Sequence, residues 1–198
     1  MNHPIEIEGK RDLTMGLAVA APTVPAEHDN LVALLVELQV EQFKHDEAYH
    51  REIARLPVQD RLKHMALHLA KYAGGLFDVD CDEQKLKRLT TDIFIISLST
   101  LNILNAKVVN VFQAPVQETA VTEEFSREVV RISGRISAAC EKMDHLEDYP
   151  FRKAIIESAY CMLAVSLNFA LRRGWDVGEL VRARLKPIKE KSIFFGLV

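Results

Sequence analysis

TDIFIISLSTLNILNA (Thr91–Ala106) and ESAYCMLAVSLNFALRRG (Glu157–Gly174) decide the fold. Both are almost continuously apolar, neither alternates as a strand does, and each carries a Leu-Asn pair, Leu101-Asn102 and Leu167-Asn168. Their apolar runs are interrupted by Ser and Asn and are too short to span a bilayer, so they read as buried core helices. Each follows a helix with a one-sided apolar stripe and a short acidic loop: LHLAKYAGGLF (Leu67–Phe77) before the first, ISAACEKMDHL (Ile136–Leu146) before the second. The two halves look like an internal repeat, about residues 57–112 and 122–191. Such likeness arises by duplication or by chance among Leu-rich helix pairs. Either origin implies helical hairpins that cannot bury their faces alone and pack into one bundle.

Outward from these stretches the whole chain reads as helix. Leu31, Leu34, Leu35, Leu38 and Phe43 give a first amphipathic segment from about His28 to Leu56. Pro57 suits the first turn of a second helix, whose stripe is Leu62, Met65, Ala66, Leu69, Ala70, Ala73, Leu76 and Phe77. Asp82 caps a third helix, expected from about Glu83 to Val111. After a linker at Gln113–Val121, which holds Pro115, Thr122 is expected to cap a fourth helix with its core face on Val129, Ile132, Ile136, Ala139, Met143 and Leu146. Pro150 starts a fifth helix that Gly174 ends, and Asp176 to Glu179 opens a last one in capping-box fashion. The expectation is an all-α bundle of about six helices in a single domain, residues 27–198, with residues 1–26 as a flexible arm.

The chain has 198 residues, 48% of them hydrophobic and 27% charged, and a net charge of −3. This balance excludes a broad basic footprint for nucleic acid. Cys81, Cys140 and Cys161 fit no metal knuckle or redox pair. With no convincing signal peptide, they point to a reducing cytoplasm. The expected partners are a nucleotide and a second copy of the chain, with no membrane and no nucleic acid.

The chemistry-bearing candidates are acids. Glu141 and Asp144 are three apart on one helix and share a face; Glu157 sits on the next helix, in line with Cys161, Ala164 and Asn168. Three carboxylates converging across a hairpin make an oxygen-rich site suited to Mg²⁺ or Mn²⁺, which could bridge a polyphosphate and activate a water. The plainer reading makes them solvated or ion-paired charges. Asp92 is the matching oddity in the first half, either a metal ligand or a residue near a helix start.

Cys140-Glu141-Lys142-Met143-Asp144 and Glu157-Ser158-Ala159-Tyr160 resemble the motifs of the MazG-like all-α nucleoside triphosphate pyrophosphohydrolases. Those enzymes carry Glu-Glu-x-x-Glu on one helix and Glu-x-x-Asp on the next. Here the first motif keeps two of its three acids and Tyr160 replaces the Asp of the second. In the first half, Lys71-Tyr72-Ala73-Gly74-Gly75 has lost the first motif, and Leu89-Thr90-Thr91-Asp92 keeps only the final Asp. The resemblance covers about residues 55–190. It implies metal-dependent cleavage of an NTP or dNTP to monophosphate and pyrophosphate, with Glu141, Asp144 and Glu157 catalytic and, with Asp92, holding the metal. Arg184, Lys189 and Asn168 would contact substrate. The rival class is a non-catalytic helical interaction or regulatory module.

A third reading ranks behind these, a His-based metal-binding bundle. His64 and His68 are spaced i, i+4, which can chelate zinc, and His45 and His50 lie on the preceding segment, five apart. A solvated or core-flanking histidine row is the preferred account. Gly74-Gly75 follows a helix, so close packing explains it better than phosphate binding. Trp175 and Phe194-Phe195 read as packing anchors.

Overall fold

The structure, a computed structural model, describes residues 25–114, 119–191, 193 and 196. Most of the expected arm, Pro115 of the linker and Phe194-Phe195 lie outside the described residues. Among those described there is no strand. In order come α1 (Pro25–Tyr49), α2 (Arg51–Ala54), α3 (Val58–Phe77), α4 (Glu83–Ile103), a 3₁₀ segment (Val108–Gln113), α5 (Thr122–Asp144), α6 (Phe151–Arg172) and α7 (Val177–Lys191).

Four helices form the bundle, in the cyclic order α3, α4, α6, α5, so that the hairpins α3–α4 and α5–α6 lie side by side. α1 and α7 pack on α4 and on each other. α4 therefore has neighbours on nearly every side, and Leu89 through Leu101 are buried without a break. That is why its sequence is apolar all round rather than striped. α6 behaves in the same way from Ser158 to Ala170, Cys161 excepted. By length and composition α6 could cross a membrane, yet 78% of its apolar window is buried inside the bundle.

Local signals set most of the boundaries. Asp82 Oδ1 accepts from the Lys85 amide at 2.9 Å, and Asp176 Oδ1 accepts from the Glu179 amide at 2.8 Å, so both act as N-caps. Gly174 sits at φ +67°, the left-handed position that ends α6. Gly75 is a close approach: a Cβ there would meet Leu89 Cδ2 at 3.3 Å, whereas Gly74 faces open space.

Several expectations need correction. The first segment is two helices, broken at His50. α4 ends at Ile103, not Val111, because Asn105 turns into the left-handed region and a 3₁₀ segment follows. Thr122 caps nothing; its hydroxyl accepts from Arg173 Nη2 at 2.9 Å instead. Phe43, Ala70, Phe77 and Leu146, read as core, are exposed. Leu146 lies past the end of α5, at φ +54°.

Candidate functional site

The expected carboxylate cluster does not assemble. Asp144 reaches back to α3 and pairs with Lys63 at 2.6 Å. Glu157 is exposed, 3.8 Å from Lys153, on a groove of about 690 Å³ that includes Arg135 of α5. Arg135 and Asp144 are nine residues apart, which at about 100° per residue puts them on opposite sides of α5. Glu141 is exposed and lines neither this groove nor the cavity described next. Lys189 lies over the Tyr49 ring, 5.8 Å from its centre, in a surface groove between α1 and α7. Asn168 is buried in α6, its Nδ2 without a hydrogen-bond partner among the described residues.

Two of the expected residues do come together. Asp92 is 5% exposed and takes a two-pronged hydrogen bond from Arg184 of α7, Nε to Oδ1 at 2.6 Å and Nη2 to Oδ2 at 3.1 Å. That bond holds the Arg184 guanidinium even more firmly protonated than usual. The pair forms one wall of a partly open cavity of about 260 Å³ bounded by α1, α2, α3, α4 and α7.

The cavity arises from a change of character along α1. Leu31, Leu35 and Leu38 lie on its inward face, and the same face continues as Gln42, His45 and Asp46. Gln42 and His45 are 2% and 3% exposed. Asp46 is held in place from two sides, Oδ1 accepting from Gln42 Nε2 at 2.8 Å and Oδ2 from the Ser99 hydroxyl of α4 at 2.7 Å. α1 stops at Tyr49, and His50 adopts φ −127°, ψ 43° before α2 begins. This break brings the His50 ring back over His45, with centroids 5.3 Å apart, although a five-residue spacing on a straight helix would separate them. Donor atoms of His45, Asp46 and His50 consequently lie within 4.8 Å of one another. Both ring nitrogens of His45 are buried and lack a hydrogen-bond partner among the described residues. That is a costly arrangement for a polar side chain with nothing to bind.

α3 supplies the facing wall: Arg61, His64, Met65, His68 and Tyr72, spaced by three and four residues along one face. His68 Nδ1 lies 3.1 Å from the Tyr72 hydroxyl and 3.4 Å from Lys71 Nζ, while its Nε2 lies 3.1 Å from His64 Nε2. The bonds are mutually consistent if Nδ1 of His68 accepts and its Nε2–H donates to His64. Burial, then the Lys71 charge, pushes His68 down to about 4, so its ring is neutral near pH 7. His64 is lowered as well, first by burial and then by His50. Tyr72 is pushed up to about 12 by burial and by Asp92. The row is therefore a neutral hydrogen-bonded chain running toward the Asp92–Arg184 pair.

Among the described residues, His45, Asp46 and His50 are the group that could hold a metal ion. Their side chains grade from buried through half-buried to partly exposed, at 2%, 21% and 41%. Three protein donors would leave positions free for water or a ligand. Of the site's deepest members, His45 is visible in the sequence as one of the four grouped histidines, whereas Gln42 is not, because a polar continuation of an apolar stripe resembles a solvated face. No family model matches this chain, and no curated protein and no solved structure matches it either.

Proposed function

We propose that this bundle binds a divalent first-row transition ion through His45, Asp46 and His50, and presents it to a small ligand in the adjoining, partly open cavity. The observation that carries the reading is His45, buried, with neither ring nitrogen hydrogen-bonded among the described residues, its Nδ1 4.0 Å from the Asp46 carboxylate and a second imidazole beside it. Two imidazoles and one carboxylate favour Zn²⁺, Co²⁺ or Fe²⁺ over Mg²⁺, which prefers oxygen ligands and retains its waters. An ion held by three ligands acts as a Lewis acid and brings a bound water near pKa 7. The His64–His68–Tyr72 row lies along the same cavity and supplies it with neutral hydrogen-bonding groups.

The test is calorimetric titration of Zn²⁺ and Co²⁺ into the full chain. One ion per chain is expected, with affinity falling at least tenfold in His45→Ala while the helical circular dichroism signal persists. Saturable binding that His45→Ala leaves unchanged would remove the site.

Nucleotide pyrophosphohydrolysis is the second reading. It is favoured by one observation, that Asp92 and Arg184, an expected metal ligand and an expected phosphate contact, share the cavity wall. Against it stand the separation of Asp144 from Glu157 and the engagement of Asp92 by Arg184. Pyrophosphate release from a panel of NTPs and dNTPs with Mg²⁺ or Mn²⁺, abolished by Glu141→Gln, would establish it over the first.

A further inference from the structure

The cavity's charges are unevenly satisfied. Asp92 is matched by Arg184. Asp46 accepts hydrogen bonds only from neutral groups, Gln42 and Ser99, among the described residues. Arg61 lines the same cavity, and no hydrogen bond or ion pair engages its guanidinium among the described residues; its Nε is buried and unpartnered. A buried guanidinium nitrogen without an acceptor is costly, and its fork of donors suits an oxyanion. His68 is neutral, so the histidine row adds no compensating charge of its own.

Adding an ion at His45, Asp46 and His50 makes the imbalance definite. The two carboxylates offset the two guanidiniums, leaving the charge of the ion uncompensated in a partly closed, low-dielectric space. A dianion would restore neutrality. Arg61 stands three residues before His64, about 4.5 Å along the axis of α3, so it flanks the histidines rather than lying at the Asp92 end. The remaining lining is apolar, including Ile53, Met65, Ile95, Ile96 and Ile103. At about 260 Å³ the space falls just under the usual range for small-molecule sites.

We infer that the metal-loaded cavity takes a small tetrahedral dianion of the phosphate-monoester type, bound between the ion and the Arg61 guanidinium, with its apolar body among the isoleucines. This rests on the metal reading above. Arg61 is the residue that specifies the anion.

Inorganic phosphate is the probe, titrated into Co²⁺-loaded full-length protein and followed by the visible Co²⁺ spectrum and by calorimetry. Wild type should show a saturable spectral change. Arg61→Ala should weaken phosphate at least tenfold, with Co²⁺ affinity unchanged within about twofold, and Arg61→Lys should recover part of the loss. Co²⁺ binding without any phosphate response would overturn the inference while leaving the metal reading intact. So would equal phosphate affinity in Arg61→Ala, or a preference for succinate over phosphate, which would assign a dicarboxylate. Absence of Co²⁺ binding in wild type would overturn the metal reading and this inference with it. Calorimetry on the same sample would then show whether Arg61-dependent phosphate binding survives as a separate property.

Discussion

The two hairpins of the bundle place their charges differently. In α5–α6 the acids stand at the surface beside lysines: Asp144 with Lys63, Glu157 with Lys153. In α3–α4 the acid is inside, and α7 brings an arginine to it. The difference comes from what covers each pair. α1 and α7 lie on α4 and close a cavity over its polar residues, whereas the groove beside α6 is lined by Asn110, Gln113 and side chains of α5 and α6. A charge at a helix surface costs little and signifies little; a charge buried among helices must be answered by something.

The contrast is measurable, and its largest effect falls on the enclosed pair. Arg184→Met strands the Asp92 carboxylate at 7% side-chain exposure and should cost about 3–5 kcal/mol in urea unfolding. Lys63→Met strands Asp144, which is 45% exposed, and should cost far less than Arg184→Met. Equal costs would erase the distinction between the hairpins.

The second effect separates binding from stability at one residue. His45→Leu removes two unpartnered buried nitrogens and keeps the volume filled with apolar atoms. Metal-free protein should therefore gain about 1 kcal/mol, with a higher melting temperature, since replacing an unsatisfied polar group relieves its desolvation cost. Metal binding should be lost in the same variant. A side chain that costs stability and carries binding is what a functional site requires. If His45→Leu destabilised the metal-free chain instead, His45 would be a satisfied core residue.

The helices could be read from the chain because their determinants are local. Asp82 and Asp176 cap, Gly174 terminates, and the period of α3 shows its buried side. The apolar character of α4 and α6 announces burial all round. The cavity could be read only in part: the sequence groups its four histidines and offers Asp92 and Arg184 separately, but what joins them to Gln42 and Ser99 is packing among helices far apart in the chain. α1 also misleads locally. Val36, Val40 and Phe43 make an apolar row on its outer face, and they are 42%, 46% and 49% exposed. Phe43 therefore reads as core, while His45 reads as part of a solvated or core-flanking row. The usable signal was the row Leu31, Leu35, Leu38, Gln42, His45 at spacings of three and four. Only the break at His50, a matter of backbone conformation, joins His50 to it.

A third effect reads the histidine row by pH. The folded-state pKa of His68, about 4, lies below its unfolded value of about 6.5, so between those values the unfolded chain binds the extra proton. Stability present above pH 6.5 is thus lost as pH falls toward 4. His68→Gln keeps a polar side chain near Tyr72 and His64 but cannot titrate. The fall in melting temperature from pH 7 to pH 4.5 should be smaller in His68→Gln than in wild type. Parallel curves would mean that the ring is charged in the folded state or freely solvated.

The smallest effect is expected where the sequence first drew attention. Glu141 is exposed, and Glu157 is 63% exposed with a lysine at 3.8 Å. Glu141→Gln and Glu157→Gln should each change stability by less than about 0.5 kcal/mol, the usual range for surface substitutions. Neither should alter Co²⁺ affinity by more than about twofold, because both acids stand outside the α1–α2–α3–α4–α7 cavity and a solvated charge acts weakly at a distance. A tenfold loss of metal in either variant would return the site to the second hairpin, and the enclosed charges of the first would then need another explanation than ligand binding.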